Sequence, residues 1–250
     1  EIRLAGERDN LHWMVGAFFA QEKLDYNDVY VYGAAYESYF NTLLGNVLGS
    51  TFTGNFGNAI PALTGRALGT NFVSGNVAGR DTYSQDTTSW AIFTNESWKV
   101  NDKLELTLGL RYSMETKDLD AKYTNPDGAA ACSGAIARYT AAVGTTAANP
   151  VNPWSYIPTA SRPTVLGNVC AFWANPQFAA IGGGVRSESF DDDAFTGTVK
   201  AAYHFNDDIM GYASYARGYK SGGYNLDRVL ASGLTPATSL RFPGESVDSY

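Results

Sequence analysis

The chain has 250 residues and a formal net charge of −7, from 18 Lys and Arg against 25 Asp and Glu. This acidic balance disfavours nucleic-acid binding and peripheral basic membrane anchors, both of which depend on basic surfaces. Hydrophobic residues make up 44% of the chain and aromatic residues 14%, but no run approaches the roughly 18 apolar residues that a membrane helix needs.

The hydropathy pattern predicts strands joined as hairpins along the whole chain. In chain order, the predicted strands are Glu1–Leu4, Leu11 to about Lys23, Tyr83–Val100, Lys103–Lys122, Ser189–Phe205, Ile209–Tyr224 and an unfinished strand over Glu245–Tyr250. Short turns are predicted at Gly6–Asn10, Asn101–Asp102 and Asn206–Asp208. Long loops are predicted over Leu24–Thr82, over Tyr123–Glu188, and up to about Gly244. Because strand-like residues open the chain directly, we expect the natural N-terminus to lie upstream.

The clearest strand signal runs from Leu104 to Glu115, where apolar and polar residues alternate for twelve positions. Strict alternation gives a strand one apolar and one polar face. Soluble strands keep it for about 5–6 residues, whereas a transmembrane β-strand needs about 9–11. The polar face carries Glu105, Arg111 and Glu115. The pattern therefore predicts a wall between lipid and a polar lumen.

The same alternation assigns the side chains of the other strands to two faces. The side chains predicted to face lipid are Leu104, Leu106, Leu108, Leu110, Trp90, Trp98, Val199 and Tyr203, and those predicted to face the lumen are Glu105, Arg111, Lys200 and His204. We expect Trp98 and Tyr203, each near a short turn, in an aromatic girdle. Glu96 also falls on the lipid face, where either a position at the membrane interface or a local bulge would accommodate its charge.

Short turns alternate strictly with long loops, as in outer-membrane barrels, whose short turns face the periplasm. A secreted β-sandwich adhesin would instead have strands of ordinary length and mostly short connections. Helically spaced apolar residues in the first loop predict a short packed helix that folds the loop onto itself. They are Tyr36, Tyr39, Phe40, Leu43, Leu44, Val47 and Leu48.

Several sequence blocks resemble the barrel of TonB-dependent outer-membrane receptors. They are Glu1–Leu4 with Trp13–Phe19, the L-x-L-x-x-G-x-R-Y strand over Lys103–Tyr112, the block Tyr212–Asn225, and Phe242–Glu245. The resemblance implies an all-β fold, an open slice of an antiparallel transmembrane β-barrel of about 22 strands. Residues 1–250 would be a partial barrel domain, without the family's plug domain, energy-coupling box and C-terminal strands.

The resemblance also implies a function. It implies a receptor in the outer membrane of a Gram-negative bacterium that actively imports a scarce nutrient, foremost a ferric siderophore-type chelate. Its partners would be outer-membrane lipid, the ligand and the TonB energy-transducing complex, which acts through the missing plug domain. It implies no cofactor. The alternatives are a passive porin-like channel, which the Tyr212–Asn225 block disfavours, and uptake of cobalamin or an oligosaccharide.

Loop aromatic residues with neighbouring polar groups are the candidate ligand contacts, because such surfaces suit an organic chelate. The candidates are Tyr139, Trp154, Tyr156, Phe172, Trp173, Tyr224 and Asn225. The opposing interpretation is that these rings pack the loops onto themselves. A structural role, such as pairing with lumen carboxylates or shaping the strand–loop junction, is expected for the residues of the family block, Arg217, Gly218, Tyr219, Lys220, Gly222 and Gly223.

Cys132 and Cys170 both lie in the second long loop. A disulfide there would restrain the loop by roughly 4 kcal/mol in the chain-entropy model, and the pair lacks the close spacing of a metal or redox site. Asp191–Asp193 fits a solvated acidic run better than a calcium loop. His12 and His204 fall near short turns, which disfavours iron or haem ligation. The sequence thus predicts no metal site, and with no catalytic motif it predicts no enzyme.

Overall fold

The computed structural model describes residues 1–48, 59–143 and 152–250. The strands are β1 Ile2–Arg8, β2 Leu11–Val31, β3 Val77–Lys99, β4 Leu104–Thr124, β5 Val185–His204, β6 Met210–Lys220, β7 Gly223–Tyr224, β8 Leu230–Ser232, β9 Thr235–Pro236, β10 Arg241–Phe242 and β11 Glu245–Ser249. The α-helices are α1 Tyr36–Leu48, α2 Ala59–Thr64, α3 Ala130–Val143, α4 Arg162–Val169 and α5 Gln177–Ala180. No helix within these ranges is long and apolar enough to cross a membrane.

Seven strands form one open antiparallel sheet in the order β1-β2-β3-β4-β5-β6-β11. Each strand up to β6 pairs with the next in sequence, as expected for a slice of barrel wall. Strand β3 has 23 residues, and β2 and β4 have 21 each. At about 3.4 Å per residue, a strand of this length extends well beyond a bilayer.

The structure corrects several predicted strand ends. Strand β2 ends at Val31 rather than near Lys23, and β3 begins at Val77 rather than Tyr83. These extensions alternate only weakly, since the pattern of β2 breaks at Asp28, and they continue through backbone pairing, such as Asp28 opposite Asp81. The predicted strand over Ile209–Tyr224 is also interrupted. It ends at Lys220, and β7 pairs with β10 in a separate ribbon.

The register confirms one continuous apolar face. Directly opposed residues in an antiparallel pair share a face, so the apolar positions align in rows across β3, β4 and β5. The rows are Trp98–Leu106–Ala201, Glu96–Leu108–Val199, Thr94–Leu110–Gly197 and Ile92–Tyr112–Phe195. Leu108 remains 39% exposed, so no second sheet among the described residues covers this face, which we call the outer face. The pairing through Glu96 is regular, so of the two alternatives for this residue the local bulge is not found.

The long loops fold onto the opposite, inner face. Helix α1 confirms the predicted helix in the first loop, with Leu44 buried and Tyr39 exposed. One buried cluster joins the first and second loops, and includes Leu44, Leu63, Cys132 and Trp154. A second cluster packs α5 and the third loop onto the strands. Its members are Tyr83, Leu119, Ala121, Tyr123, Phe178, Phe190, Tyr224 and Leu240.

Candidate functional site

The outer face carries an apolar band with aromatic rings at both borders. At one border, the ring of Tyr112 lies 5.9 Å from Trp90 and 5.1 Å from Phe195. At the other border, near the short turns, Tyr203 and Phe205 are 5.1 Å apart. The ten steps from Leu104 to Met114 cover about 34 Å along the strand. With a tilt of about 45°, that gives a band near the roughly 25 Å typical of membrane barrels.

The inner face is polar at the same level. Arg111 lies opposite Phe93 and Thr196 in the register. Its guanidinium carbon lies 5.6 Å from the centre of the Phe93 ring, and its Nε donates to Ser113 Oγ at 2.8 Å. Lys200 lies opposite Thr107 on the same face. The two faces therefore have the chemistry of a wall between lipid and a polar lumen.

Arg228 of the third loop holds the loops to the inner wall. Its Nε and Nη2 each donate to Asp81 carboxylate oxygens at 2.7 Å, and Nη2 also donates to the Thr124 carbonyl oxygen at 2.8 Å. Its Nη1 donates to the Trp173 carbonyl oxygen at 3.0 Å. A single guanidinium thus connects the second loop, the third loop and two strands. Sequence reasoning missed it, because a lone Arg in a loop carries no periodic signal.

Of the candidate contacts in the middle of the second loop, Trp154 lies in the packed interior and Tyr139 is partly buried against it. Trp154 is fully buried, and its Nε1 donates to the Leu63 carbonyl oxygen at 2.8 Å. Tyr139 packs edge-on against Trp154, with ring centres 5.4 Å apart. The side chain of Tyr156 lies outside the described part of the chain. The structure therefore favours packing of the loop onto itself for Tyr139 and Trp154.

Phe172 and Trp173 are half-buried, and their rings are in contact with each other. The Trp173 ring stacks on Tyr30, with ring centres 5.8 Å apart, and the Tyr30 hydroxyl donates to Asp227 Oδ1 at 3.2 Å. These rings therefore combine an accessible apolar surface with a nearby carboxylate. Trp173, like Tyr139, is partly buried against the cluster that joins the first and second loops.

Tyr224 and Asn225 differ although they are neighbours. Tyr224 is 6% exposed, and burial raises the pKa of its phenol to about 12, so it is protonated at physiological pH. Its hydroxyl donates to the Lys117 carbonyl oxygen at 3.3 Å. Asn225 is exposed, and its Nδ2 donates to the Leu240 carbonyl oxygen at 3.2 Å. Tyr224 therefore belongs to the packing beneath the loop, and Asn225 lies on the surface.

Comparison with known proteins decides the family. Residues 3–242 match the family described as TonB dependent receptor-like, beta-barrel. The chain belongs to the TonB-dependent receptor beta-barrel family. No curated protein sequence gives a significant match.

Among solved structures, the ferric yersiniabactin uptake receptor FyuA from Yersinia pestis is 14% identical, with a TM-score of 0.49. The alignment covers 98% of this chain and 23% of that chain. A structure described as Trapped Toxin is 9% identical with a TM-score of 0.11, covering 100% of this chain and 81% of that chain. Both TM-scores are too low to support a comparison of sites.

The family block of this receptor barrel shapes the junction between β6 and the third loop. A side chain at Gly222 would place Cβ 2.6 Å from the Phe242 carbonyl oxygen, and one at Gly223 would meet the Phe242 ring at 2.7 Å. These glycines permit the close approach of β7 and β10. The Gly222 amide also donates to Asp192 Oδ2 at 2.9 Å, which ties the junction to β5.

Strand β6 pairs with β11 through Gly218, Tyr219 and Lys220, which lie opposite Val247, Ser246 and Glu245. Arg217 lies opposite Gly197, which itself lies opposite Leu110. The register therefore places Arg217 on the outer face, next to Asp248 of β11. Two roles were expected for Arg217, and one of them was pairing with a lumen carboxylate. The structure does not show this pairing.

The second loop contains a disulfide bond between Cys132 and Cys170, whose Cα atoms are 4.6 Å apart. The aspartates of Asp191–Asp193 have separate partners: Asp191 accepts from Thr116 Oγ1 at 2.6 Å, and Asp193 from the Tyr112 hydroxyl at 3.2 Å. His12 Nδ1 lies 3.5 Å from Glu7 Oε2 beside a short turn. Within the described residues, no group of three or more potential ligands could hold a metal ion.

Proposed function

We propose that the complete receptor spans the outer membrane and imports a scarce nutrient in a TonB-dependent manner. The observation that carries the proposal is the two-faced sheet in a chain of this family: an exposed apolar band outside and charged side chains inside, with Leu108 and Lys200 as examples. The chain spans 23% of the FyuA chain, and the plug domain through which TonB would act is part of the proposal for the complete receptor.

The ligand that we propose is a ferric siderophore-type chelate. Phe172 and Trp173 offer partly exposed ring surface in the second loop, and Asn225 adds an exposed amide in the third loop. Aromatic rings with a few polar groups suit an organic chelate better than a bare ion, which requires clustered carboxylates or imidazoles.

Uptake of ⁵⁵Fe-labelled chelates into iron-starved cells tests both parts of the proposal. Cells that express the full-length receptor should accumulate iron only when TonB is present. TonB-independent uptake that does not saturate would show a passive channel. Competition by cobalamin or an oligosaccharide, without uptake of any ferric chelate, would replace the ligand but leave the transport mechanism intact.

Paired variants test the proposed contact surface. Trp173→Ala removes the ring but keeps the backbone carbonyl that Arg228 uses. We expect chelate binding about tenfold weaker, since a buried aromatic contact contributes on the order of 1–3 kcal/mol. Tyr39→Ala, at a position 61% exposed on α1, is the matched control and should bind as the unmodified receptor does. Equal affinity of all three proteins at equal surface expression would remove Trp173 from the site.

A further inference from the structure

Three aromatic rings meet where the end of β2 contacts the second loop. The Trp173 ring stacks on Tyr30, with ring centres 5.8 Å apart. The Phe172 ring packs edge-on against both, with its centre 5.8 Å from that of Tyr30 and 4.6 Å from that of Trp173. All three residues are half-buried, so this three-ring cluster keeps part of its surface accessible.

The backbone of Trp173 is fixed on the wall beneath the cluster. Its carbonyl oxygen accepts hydrogen bonds from Asn125 Nδ2 at 2.9 Å and from Arg228 Nη1 at 3.0 Å. Gly79, which lies opposite Tyr30 in the register, permits this approach, since an added Cβ would lie 2.7 Å from the same oxygen. The cluster is therefore held in position before a ligand arrives, which lowers the entropic cost of binding.

Two carboxylates border the cluster. Asp227 Oδ1 accepts a hydrogen bond from the Tyr30 hydroxyl at 3.2 Å. Asp28 lies two positions before Tyr30, and therefore on the same face of β2. Burial, together with the charges of Asp28 and Asp227, raises the pKa of the Tyr30 phenol, which stays a protonated donor.

No basic side chain neutralises these two carboxylates. Within the described residues neither Asp28 nor Asp227 forms an ion pair, and the rest of the chain contains no Lys, Arg or His. Arg228, next to Asp227 in sequence, is fully buried and pairs with Asp81. Because Asp28 and Asp227 are half-buried, water and salt screen their charges less than on an open surface.

Aromatic ring faces and carboxylates both attract cations. We propose that the three-ring cluster binds a ferric chelate that carries an ammonium group, and that this group pairs with Asp28 and Asp227. A ferric trihydroxamate with a free amine has this chemistry, because three hydroxamates neutralise the iron and leave the ammonium as the net charge. A ferric tris-catecholate is a trianion, which the same carboxylates repel. The proposal rests on the ferric-chelate uptake proposed above and narrows it to one charge class.

Binding of ⁵⁵Fe-labelled chelates to iron-starved cells that lack TonB measures affinity without transport. The probes are a ferric trihydroxamate with a free ammonium, the same chelate with that amine acetylated, and a ferric tris-catecholate. The full-length receptor should bind the ammonium form about fivefold tighter than the acetylated form, which is the scale of a partly exposed ion pair. The tris-catecholate should bind more weakly than either.

Charge-removing variants test the two carboxylates directly. Asp28→Asn together with Asp227→Asn keeps, at position 227, an oxygen that can accept from the Tyr30 hydroxyl and the Arg228 amide. The preference for the ammonium form should disappear, and unchanged binding of the acetylated form shows that the variant is folded. Asp102→Asn, which removes an exposed charge from a short turn at the opposite end of the wall, is the matched control and should keep the preference.

The outcomes separate this inference from the proposed function. Three results overturn the ammonium site and leave ferric-chelate uptake standing. They are equal affinity for the ammonium and acetylated forms, tighter binding of the tris-catecholate, and an unchanged preference in the folded double variant. A receptor that binds none of the three probes overturns the proposed ligand itself, and the ammonium site with it.

Discussion

Arg228 and Asp81, 147 residues apart in the chain, form two hydrogen bonds of 2.7 Å, and both side chains are completely inaccessible to solvent. The guanidinium carbon also lies 5.3 Å from the centre of the Phe178 ring. Because each charge is paired and hydrogen-bonded, the burial of both is tolerated. The pair thereby fixes the third loop on the inner wall.

Breaking this pair should release the loops. Arg228→Met leaves the Asp81 carboxylate buried without its partner, so we expect a loss of about 3–5 kcal/mol from the free energy that holds the loops down. Protease cleavage within residues 221–244 of the membrane-embedded receptor measures the change. Cleavage should accelerate in Arg228→Met and also in Asp81→Asn.

The double variant is the informative control for the pair. Asp81→Asn together with Arg228→Met removes both charges. The increase in cleavage rate in this double variant should therefore be smaller than the increases in the two single variants combined. Arg66→Gln, which affects an exposed contact to the Thr70 carbonyl oxygen, should leave cleavage unchanged. Additive effects of Asp81→Asn and Arg228→Met would contradict direct coupling.

The disulfide should restrain the second loop without affecting the barrel wall. Replacing both Cys132 and Cys170 by Ser frees a loop closed over 38 positions, with an expected loss of about 4 kcal/mol. Hydrogen exchange of α3 and α4 should accelerate, while amides in β4 keep their protection. Unchanged exchange in α3 and α4 would show that packing around the bond, rather than the bond, holds the loop.

Substitution of Trp154 should lower the stability of the second loop, because this side chain packs the loop rather than contacting the ligand. Trp154→Ala removes a fully buried ring and should destabilise the loop cluster by about 3–5 kcal/mol. Trp154→Phe keeps most of the ring and loses the bond to the Leu63 carbonyl oxygen, with a smaller effect of about 1–3 kcal/mol. Protease protection of the second loop reports both. Weaker chelate binding with full protection would instead place Trp154 in the ligand site.

The outer face could be predicted from sequence because alternation is a local property. Leu104, Leu106, Leu108 and Leu110 reveal it within one strand, and pairing extends it to Trp98 and Val199. The predicted disulfide needed only two cysteines in one loop. The family block was also recognisable, since the close approach of Gly222 to Phe242 depends on residue type.

The loop interior could not be predicted, because it depends on contacts between distant segments. Nothing near Trp154 in sequence indicates that it packs beneath Leu63, 91 residues away. Asp81 fell within a predicted loop, and its partner Arg228 lies in another. The outer ends of β2 and β3 were missed for a similar reason: their pairing is backbone-driven, and their side chains alternate only weakly.

An added charge should destabilise the barrel much more on the outer face than on the inner face. Leu108→Arg places a cation in the apolar band and should cost about 2–4 kcal/mol. Thr198→Arg, one residue from Val199 on the inner face and opposite Gly109, should change stability far less. Urea unfolding of the receptor in lipid vesicles measures both, and equal destabilisation by the two variants would contradict the assignment of the faces.

Spin labels placed singly at positions 104–115 of the full-length receptor in lipid bilayers test the wall itself. Collision rates with oxygen, which concentrates in lipid, and with a polar nickel complex should alternate with a period of two. Labels at Leu106, Leu108 and Leu110 should favour oxygen, and labels at Glu105, Thr107 and Arg111 should favour nickel. Equal accessibility at neighbouring positions, or shielding of Leu106 and Leu108 from both reagents, would contradict a wall between lipid and lumen.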